Sequence, residues 1–466
     1  MQFAEPLEQL AVPATHFTKG RNFPPPGEIR VYDTTLRDGE QTPGVIFSPE
    51  QKYEIAKLLS DMGVHILDLG FPAAAASDRL ALQMIVQGKR KGDLRKDIEL
   101  LVMCRSNKKD IDITTETLKQ IGIEPKEVTY FIFTSGSDLH VKYKLGKTLL
   151  KREGKPESEW LTTPVSWYRD ANVKMMCEAI SYAREMGAAE VEFGGEDGSR
   201  GDVEYFNRLH LEGLKAGGTR PSWPDTVGFL TPEACDYYIP KLLSALPPKT
   251  PFVVHFHNDY GLAAVNTVRA MSHGVRVPTC TANGLGERAG NAPLHQVMVT
   301  LRDLYGVTVP GFRYEKLRQL RQLVERYSGV PVGASEPIIG EGVFAHESGI
   351  HVAGMLVDPA IYQVIDPQSV GAEIRYVLGK HTGDALVAHV LEAKKEYFAQ
   401  FGITVDGTFV KRMTSVVKEL MERRKAIHGS EVSDAVQAYY RAYAQLGMTE
   451  RELVELAVAV GRAVPA

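Results

Sequence analysis

Much of what ties a chain to one kind of partner is missing here. The four cysteines, Cys104, Cys177, Cys235 and Cys280, stand far apart with no CxxC pair. That spacing fits buried thiols in a reducing compartment better than a disulfide framework or a zinc ribbon. Charge of one sign is not in excess: 54 basic residues face 58 acidic ones, a formal net of -4. No overall field therefore recruits nucleic acid or an anionic membrane. No apolar run reaches membrane-spanning length, and the opening MQFAEPLEQLAVPATHFTKG carries early acids and no uninterrupted apolar core of signal-peptide kind. The expectation is a cytoplasmic protein whose partners are small molecules. The GxGxxG fingerprint of nucleotide-binding sheets is also absent after the first strand; GLGERAG (284 to 290) follows the last strand and reads as turn formers.

What is present is a large apolar complement and a repeated pattern. With 466 residues, 44% of them hydrophobic, the chain can bury a big core and should hold one large domain plus smaller ones. Short apolar, β-branched runs alternate with amphipathic helical stretches. The runs are 28 to 35, 65 to 72, 98 to 105, 127 to 134, 189 to 195, 251 to 259 and 276 to 284. A further candidate, RPSWPDTVG (220 to 228), is weakened by its prolines. In SPEQKYEIAKLLSDMG (48 to 63), Ser48 with Gln51 resembles a capping box and Gly63 suits a helix stop. The alternation predicts an α/β fold, a (β/α)8 TIM barrel over 28 to 310, with an open doubly wound sheet as the rival. Ahead of it, 1 to 27 reads as an extended arm. After it come a linker or subdomain (311 to 385) whose HESGIH segment suggests a lid, and a helical C-terminal domain (386 to 466). Residues 146 to 164 read as an insertion after the fourth strand.

The chemistry is argued first from HFHND. His255 and His257 are two apart on a strand, so both imidazoles project to one face, as two ligands of one ion would. Asp38, just past the first strand in DTTLRDGEQ, adds a carboxylate at the same end of the barrel, where active sites of this fold are built. One carboxylate and two imidazoles leave positions open for substrate on a catalytic Mg, Mn, Co or Zn. The competing reading is two satisfied core histidines.

Together the motifs DTTLRDGEQTPG, LGFPAA, FGGEDGSR, PDTVG, HFHNDYGLAAVNT, GLGERAGNAPL and GEGVFAHESGIHVAG resemble the 2-isopropylmalate synthase and homocitrate synthase family. These are acyl-CoA Claisen-condensing enzymes of the DRE-type TIM-barrel metallolyases. The resemblance runs from about residue 28 to 385. It implies acetyl-CoA as co-substrate and a divalent metal on Asp38, His255, His257 and Asn291. It also implies Arg37 at the developing alkoxide and Glu196 as the catalytic glutamate, with Thr226, His140, Arg105 and Asp68 around the 2-oxo acid. His351 with Tyr362 matches a pair that members reach into the neighbouring subunit, which implies a homodimer.

Departures bear on the substrate. Gly194 and Gly195 precede Glu196 where a hydroxyl residue is usual, which is expected to open space, and Asp68 stands where a glutamate is usual. Arg105 resembles the isopropylmalate branch, whereas LGKHTG (378 to 383) resembles the homocitrate branch. The expected reaction is condensation of acetyl-CoA with a 2-oxo acid followed by thioester hydrolysis, with oxaloacetate, as in a Re-type citrate synthase, favoured over 2-oxoisovalerate, 2-oxoglutarate or an arylpyruvate. The basic run Lys142, Lys144, Lys147, Lys151, Arg152 and Lys155 is a candidate for the phosphates of coenzyme A, against the default of solvated lysines. A carbon–carbon lyase of the hydroxymethylglutaryl-CoA type and a catalytically silent metal-binding regulator are the alternatives from other classes.

Overall fold

The structure, a computed structural model, describes residues 12 to 72, 74 to 443 and 445 to 463. The first eleven residues of the expected arm, and Ala73 on the rim of the second strand, lie outside the described residues. The described chain forms two compact units, 12 to 332 and 333 to 463.

The first unit is a closed barrel of parallel strands. They are β1 (Tyr32–Asp33), β2 (Ile66–Asp68), β3 (Glu99–Arg105), β4 (Thr129–Ser135), β5 (Glu190–Glu196), β6 (Arg220–Asp225), β7 (Val253–Phe256) and β8 (Val277–Cys280). They neighbour one another in sequence order, and β8 pairs back onto β1. The apolar runs form strands because a closed parallel barrel buries both faces, one against the surrounding helices and one in the interior. Tyr32, Ile66, Leu101, Met103, Val253 and Val277 meet there, each worth about 1.5 to 3 kcal/mol of burial. The proline-bearing segment that looks poor as a strand forms β6 regardless. It pairs with β5 over Arg220–Ser222 and with β7 over Ser222–Asp225, so neighbours on both sides override local propensity.

The helices between strands carry the expected signals. Helix Pro49–Asp61 opens on a complete Ser48/Gln51 capping box. It stops before Gly63, whose φ of 92° and a Cβ that would sit 2.3 Å from the Gly311 carbonyl oxygen both require glycine. The expected insertion contains helix Gly146–Arg152 and is tied back by Trp160 Nε1 donating to the Lys142 carbonyl at 2.7 Å.

The second unit is mainly helical. Short parallel strands Ala345–His346 and Arg375–Tyr376 pair, and helices Gly349–Val357, Asp384–Glu392, Gly407–Tyr443 and Glu450–Ala463 follow. The segment 337 to 354 reads as a loop in sequence, yet Gly349–Val357 is helical. Gly349 lies so close to Gly383 that a Cβ would approach its Cα to 2.8 Å. Among the described residues no helix is long and apolar enough to cross a membrane.

Candidate active site

The C-terminal ends of the strands converge on a cavity of about 170 Å³. On its β1–β7 side, Asp38 Oδ2 lies 2.9 Å from His255 Nε2 and 4.0 Å from His257 Nε2, and the two Nε2 atoms are 3.2 Å apart. His255 lies within β7 and His257 just past its end, so alternation does place both rings on one face. Thr279 Oγ1 on β8 lies 2.9 Å from His255 Nδ1 and fixes that ring with Nε2 toward Asp38. An antiparallel bridge from His257 to Asn291 brings the fourth expected residue alongside. The glycines of GLGERAG make that turn: at Gly290 a Cβ would fall 1.9 Å from the Gly284 oxygen, and at Gly286 2.5 Å from Asn291 Nδ2.

The electrostatics of this cluster fit a cation. Asp38, His257 and Asn291 are buried, yet both carboxylate oxygens of Asp38, Nδ1 of His257 and Oδ1 of Asn291 lack an aligned hydrogen-bond partner. Buried polar atoms are rarely left so, because each costs about 1 to 3 kcal/mol. Asp38, His255 and His257 each offer an atom within 4.8 Å of the others, and a hard divalent ion would satisfy that donor set. Burial alone would raise the Asp38 carboxyl, but Arg37 and the two imidazoles hold it well below the usual range. Burial, reinforced by His255, pushes His257 down to about 3, so its ring is neutral and able to ligate.

Arg37 lines the cavity, with Nε on Asp68 Oδ2 at 2.7 Å and a terminal nitrogen 3.1 Å from Asp38 Oδ2. Asp68 is fully buried, and its other oxygen accepts the Gly70 N–H at 2.9 Å. It thereby orients Arg37 and is not among the residues lining the cavity. Arg105 is likewise held by an acid. It sits at the end of β3, 66% exposed, bidentate with Asp110 at 2.6 and 2.9 Å, outside the cavity wall.

Glu196 and Thr226 line the cavity. Glu196 is ion-paired with Lys144, and Thr226 Oγ1 accepts the Asp197 N–H at 2.8 Å. Asp197 is a residue that the sequence reading overlooked. It is buried at φ 67°, in the left-handed region where a non-glycine residue is uncommon. Its carboxylate accepts from Ser137 at 2.5 Å and from Arg200 at 2.7 and 2.8 Å. His140 stands behind this network, Nε2 3.6 Å from Asp197 Oδ2, and is absent from the cavity wall. Most of the basic run is engaged within the chain: Lys142 donates to the Leu161 and Thr163 carbonyls, Lys147 pairs with Glu157, Arg152 with Glu178 and Lys155 with Glu159, while Lys151 is exposed.

The glycines expected to open space do not. A Cβ on Gly194 would meet Ser222 Oγ at 2.3 Å, and one on Gly195 would meet Gly136 Cα at 2.9 Å, so β6 and the end of β4 occupy that room. Other cavity residues include Met103, Phe131, Phe133 and Glu192, which lie on strands where the same alternation applies, and Gln41, in the turn after β1, which no periodicity marks. Burial raises Glu192 to about 7, against the pull of Arg220, whose Nε it accepts at 2.8 Å. In the second unit, His351 and Tyr362 are exposed and stack on each other, with ring centroids 4.2 Å apart and planes at 20°.

Comparison with known proteins adds a family. The HMGL-like domain model matches residues 28–155 and 156–324, and the homocitrate synthase post-HMGL domain-like model matches 338–425. A homocitrate synthase of Methanopyrus kandleri is 35% identical over 412 residues, 88% of this chain and 92% of that protein. A 2-isopropylmalate synthase of Methanocaldococcus jannaschii is 35% identical over 442 residues, 94% of this chain and 77% of that protein. The HMG-CoA lyase of Bacillus subtilis superimposes with a TM-score of 0.51 at 20% identity, covering 66% of this chain and 96% of that one. This last likeness speaks to the fold alone.

Proposed function

The chain belongs to the HMGL-like family, and on that premise we propose that it is an acyltransferase that condenses acetyl-CoA with a 2-oxo acid and hydrolyses the thioester to release CoA. The observation that carries this reading is the buried Asp38, His255 and His257 cluster with its unpartnered atoms beside Arg37. The relatives named homocitrate synthase and 2-isopropylmalate synthase support the same chemistry.

Asp38, His255 and His257, with Asn291, would hold a divalent ion, which when bound would polarise the oxo acid's carbonyl as a Lewis acid. The guanidinium of Arg37, fixed by Asp68, donates to the carbonyl oxygen as negative charge develops on it. Thr226, its oxygen already accepting from Asp197, keeps its hydroxyl proton to donate to the substrate carboxylate. The methyl of acetyl-CoA gives up a proton to a base, its carbon bonds to the carbonyl carbon, and the alkoxide takes a proton. Water then adds to the thioester and the CoA thiol leaves. Glu196 on the cavity wall, ion-paired with Lys144, serves this proton movement. The stacked His351–Tyr362 pair is assigned the methyl proton, delivered by a second copy of the chain. Mixing Asp38→Ala and His351→Ala proteins should then restore activity that neither shows alone, and no restoration would remove the shared-site assignment.

The acceptor favoured by the sequence, oxaloacetate, and its rivals 2-oxoisovalerate, 2-oxoglutarate and arylpyruvates differ in what they present to the far wall of the cavity. The reaction class is tested by CoA-thiol release from acetyl-CoA with Mg or Mn, with and without oxo acid and with an EDTA control. Release that needs both the oxo acid and the metal supports the reading; release without an oxo acid, or release indifferent to EDTA, contradicts it.

A further inference from the structure

The far wall has a definite chemistry. Closure in sequence order places β3 across the barrel from β7. A 2-oxo acid held by carbonyl and carboxylate on the β1, β6 and β7 side therefore points its third substituent at β3 and β4. There the register sets Met103 beside Phe131 and Phe131 beside Glu192, with Phe133 next to Gly194. The Phe131 and Phe133 rings lie 6.2 Å apart, and Phe71 meets Phe133 edge-on at 6.1 Å. The surface facing the substituent is thus a thioether and two phenyl rings.

No cation is on offer to a second carboxylate. Among the described residues lining the cavity, the positively charged ones are Arg37 and Arg288. Arg37 is engaged by Asp68 and Asp38, and Arg288 is bidentate with Asp259 at 2.8 and 3.0 Å. Lys144 is paired with Glu196, and Arg105 is paired outside the wall. The ionisable group on the β5 side of this wall, Glu192, is itself an acid. A carboxylate moved from water to such a surface loses its hydration and gains no partner. An apolar substituent gains burial and ring contacts.

We propose that the acceptor is a 2-oxo acid with an uncharged, apolar side chain, branched aliphatic or aromatic, selected by Met103, Phe131 and Phe133. This rests on the condensation reading above, and it turns away from the oxaloacetate that the mixed-branch motifs favoured.

The test uses the full-length protein with Mn. CoA release is compared across 2-oxoisovalerate, 4-methyl-2-oxopentanoate, phenylpyruvate, oxaloacetate and 2-oxoglutarate. The best apolar acid should exceed both dicarboxylic acids in kcat/KM by about 100-fold or more. Phe133→Ala should raise the KM for that acid about tenfold while leaving the KM for acetyl-CoA in place. A preference for oxaloacetate or 2-oxoglutarate overturns this inference and leaves the reaction class standing, as does a Phe133→Ala protein with an unmoved oxo-acid KM. Release with none of the five acids overturns the condensation reading and this inference with it.

Discussion

The two ends of the barrel use the same kinds of residue to opposite ends. At the N-terminal floor, Arg220 is almost fully buried and meets Glu99 at 2.6 Å and Glu192 at 2.8 Å, and Arg30 meets Glu99 at 2.9 Å. Thr129 adds its hydroxyl to Glu99 at 2.6 Å. At the C-terminal rim, Asp38, His257 and Asn291 are equally buried, yet each keeps an atom without an aligned partner. A closed network holds a fold in register, whereas an open one is a standing cost that makes sense only when a ligand settles it. The difference separates structural charge from functional charge more cleanly than burial or residue type does.

That contrast can be broken at either end. Asp38→Asn should lower CoA release by about 10³-fold or more, while the thermal midpoint moves little, because the desolvation cost of a buried carboxylate is removed together with its ion pair to Arg37. Steady-state kinetics beside a melting curve read both. Arg220→Met should do the reverse: leaving Glu192 without its guanidinium and Glu99 with Arg30 alone costs about 3 to 5 kcal/mol of stability, with kcat per folded molecule within a few-fold of the parent. Chemical denaturation checks the loss, and a large kcat defect in folded Arg220→Met protein would erase the floor–rim distinction.

Smaller effects sharpen it. Glu196→Gln should lower kcat about 100-fold with the oxo-acid KM within threefold, the mark of a proton-transfer group rather than a binding one. On the scaffold outside the barrel wall, His210 packs among Phe193, Phe206 and Phe252, and burial lowers it to about 4. Its folded value lies below its unfolded one, so the neutral ring contributes stability above pH 6.5 that is lost as pH falls toward 4. The loss by pH 5 is about 2 kcal/mol. His210→Phe should flatten the acid limb of the stability profile by that amount and leave the pH profile of CoA release in its place.

The barrel was legible because period-two apolar runs, a capping box at Ser48 and a glycine at 63 are local signals, and the pair His255 and His257 follows from the same periodicity. What the sequence misplaced depends on partners brought in from elsewhere in the fold. Asp68 and Arg105 carry charges that suit a substrate, but Arg37 claims the first and Asp110 the second. Gly194 suggests an opening until Ser222 is seen to fill it. Phe131 and Phe133 were not singled out, although alternation along β4 puts both on one face, and that face lines the cavity. Asp197 gave no signal at all, since its role comes from a left-handed backbone and from Ser137 and Arg200.

The central claim, that the open rim cluster exists to hold a catalytic cation, is tested most directly by Mn binding to the full-length protein and its Asp38→Asn variant. Electron paramagnetic resonance of free Mn reports the bound fraction without reference to activity. One equivalent bound by the parent and at least tenfold weaker binding by the variant is the predicted result. Equal binding by both proteins, or none by the parent, would contradict the account.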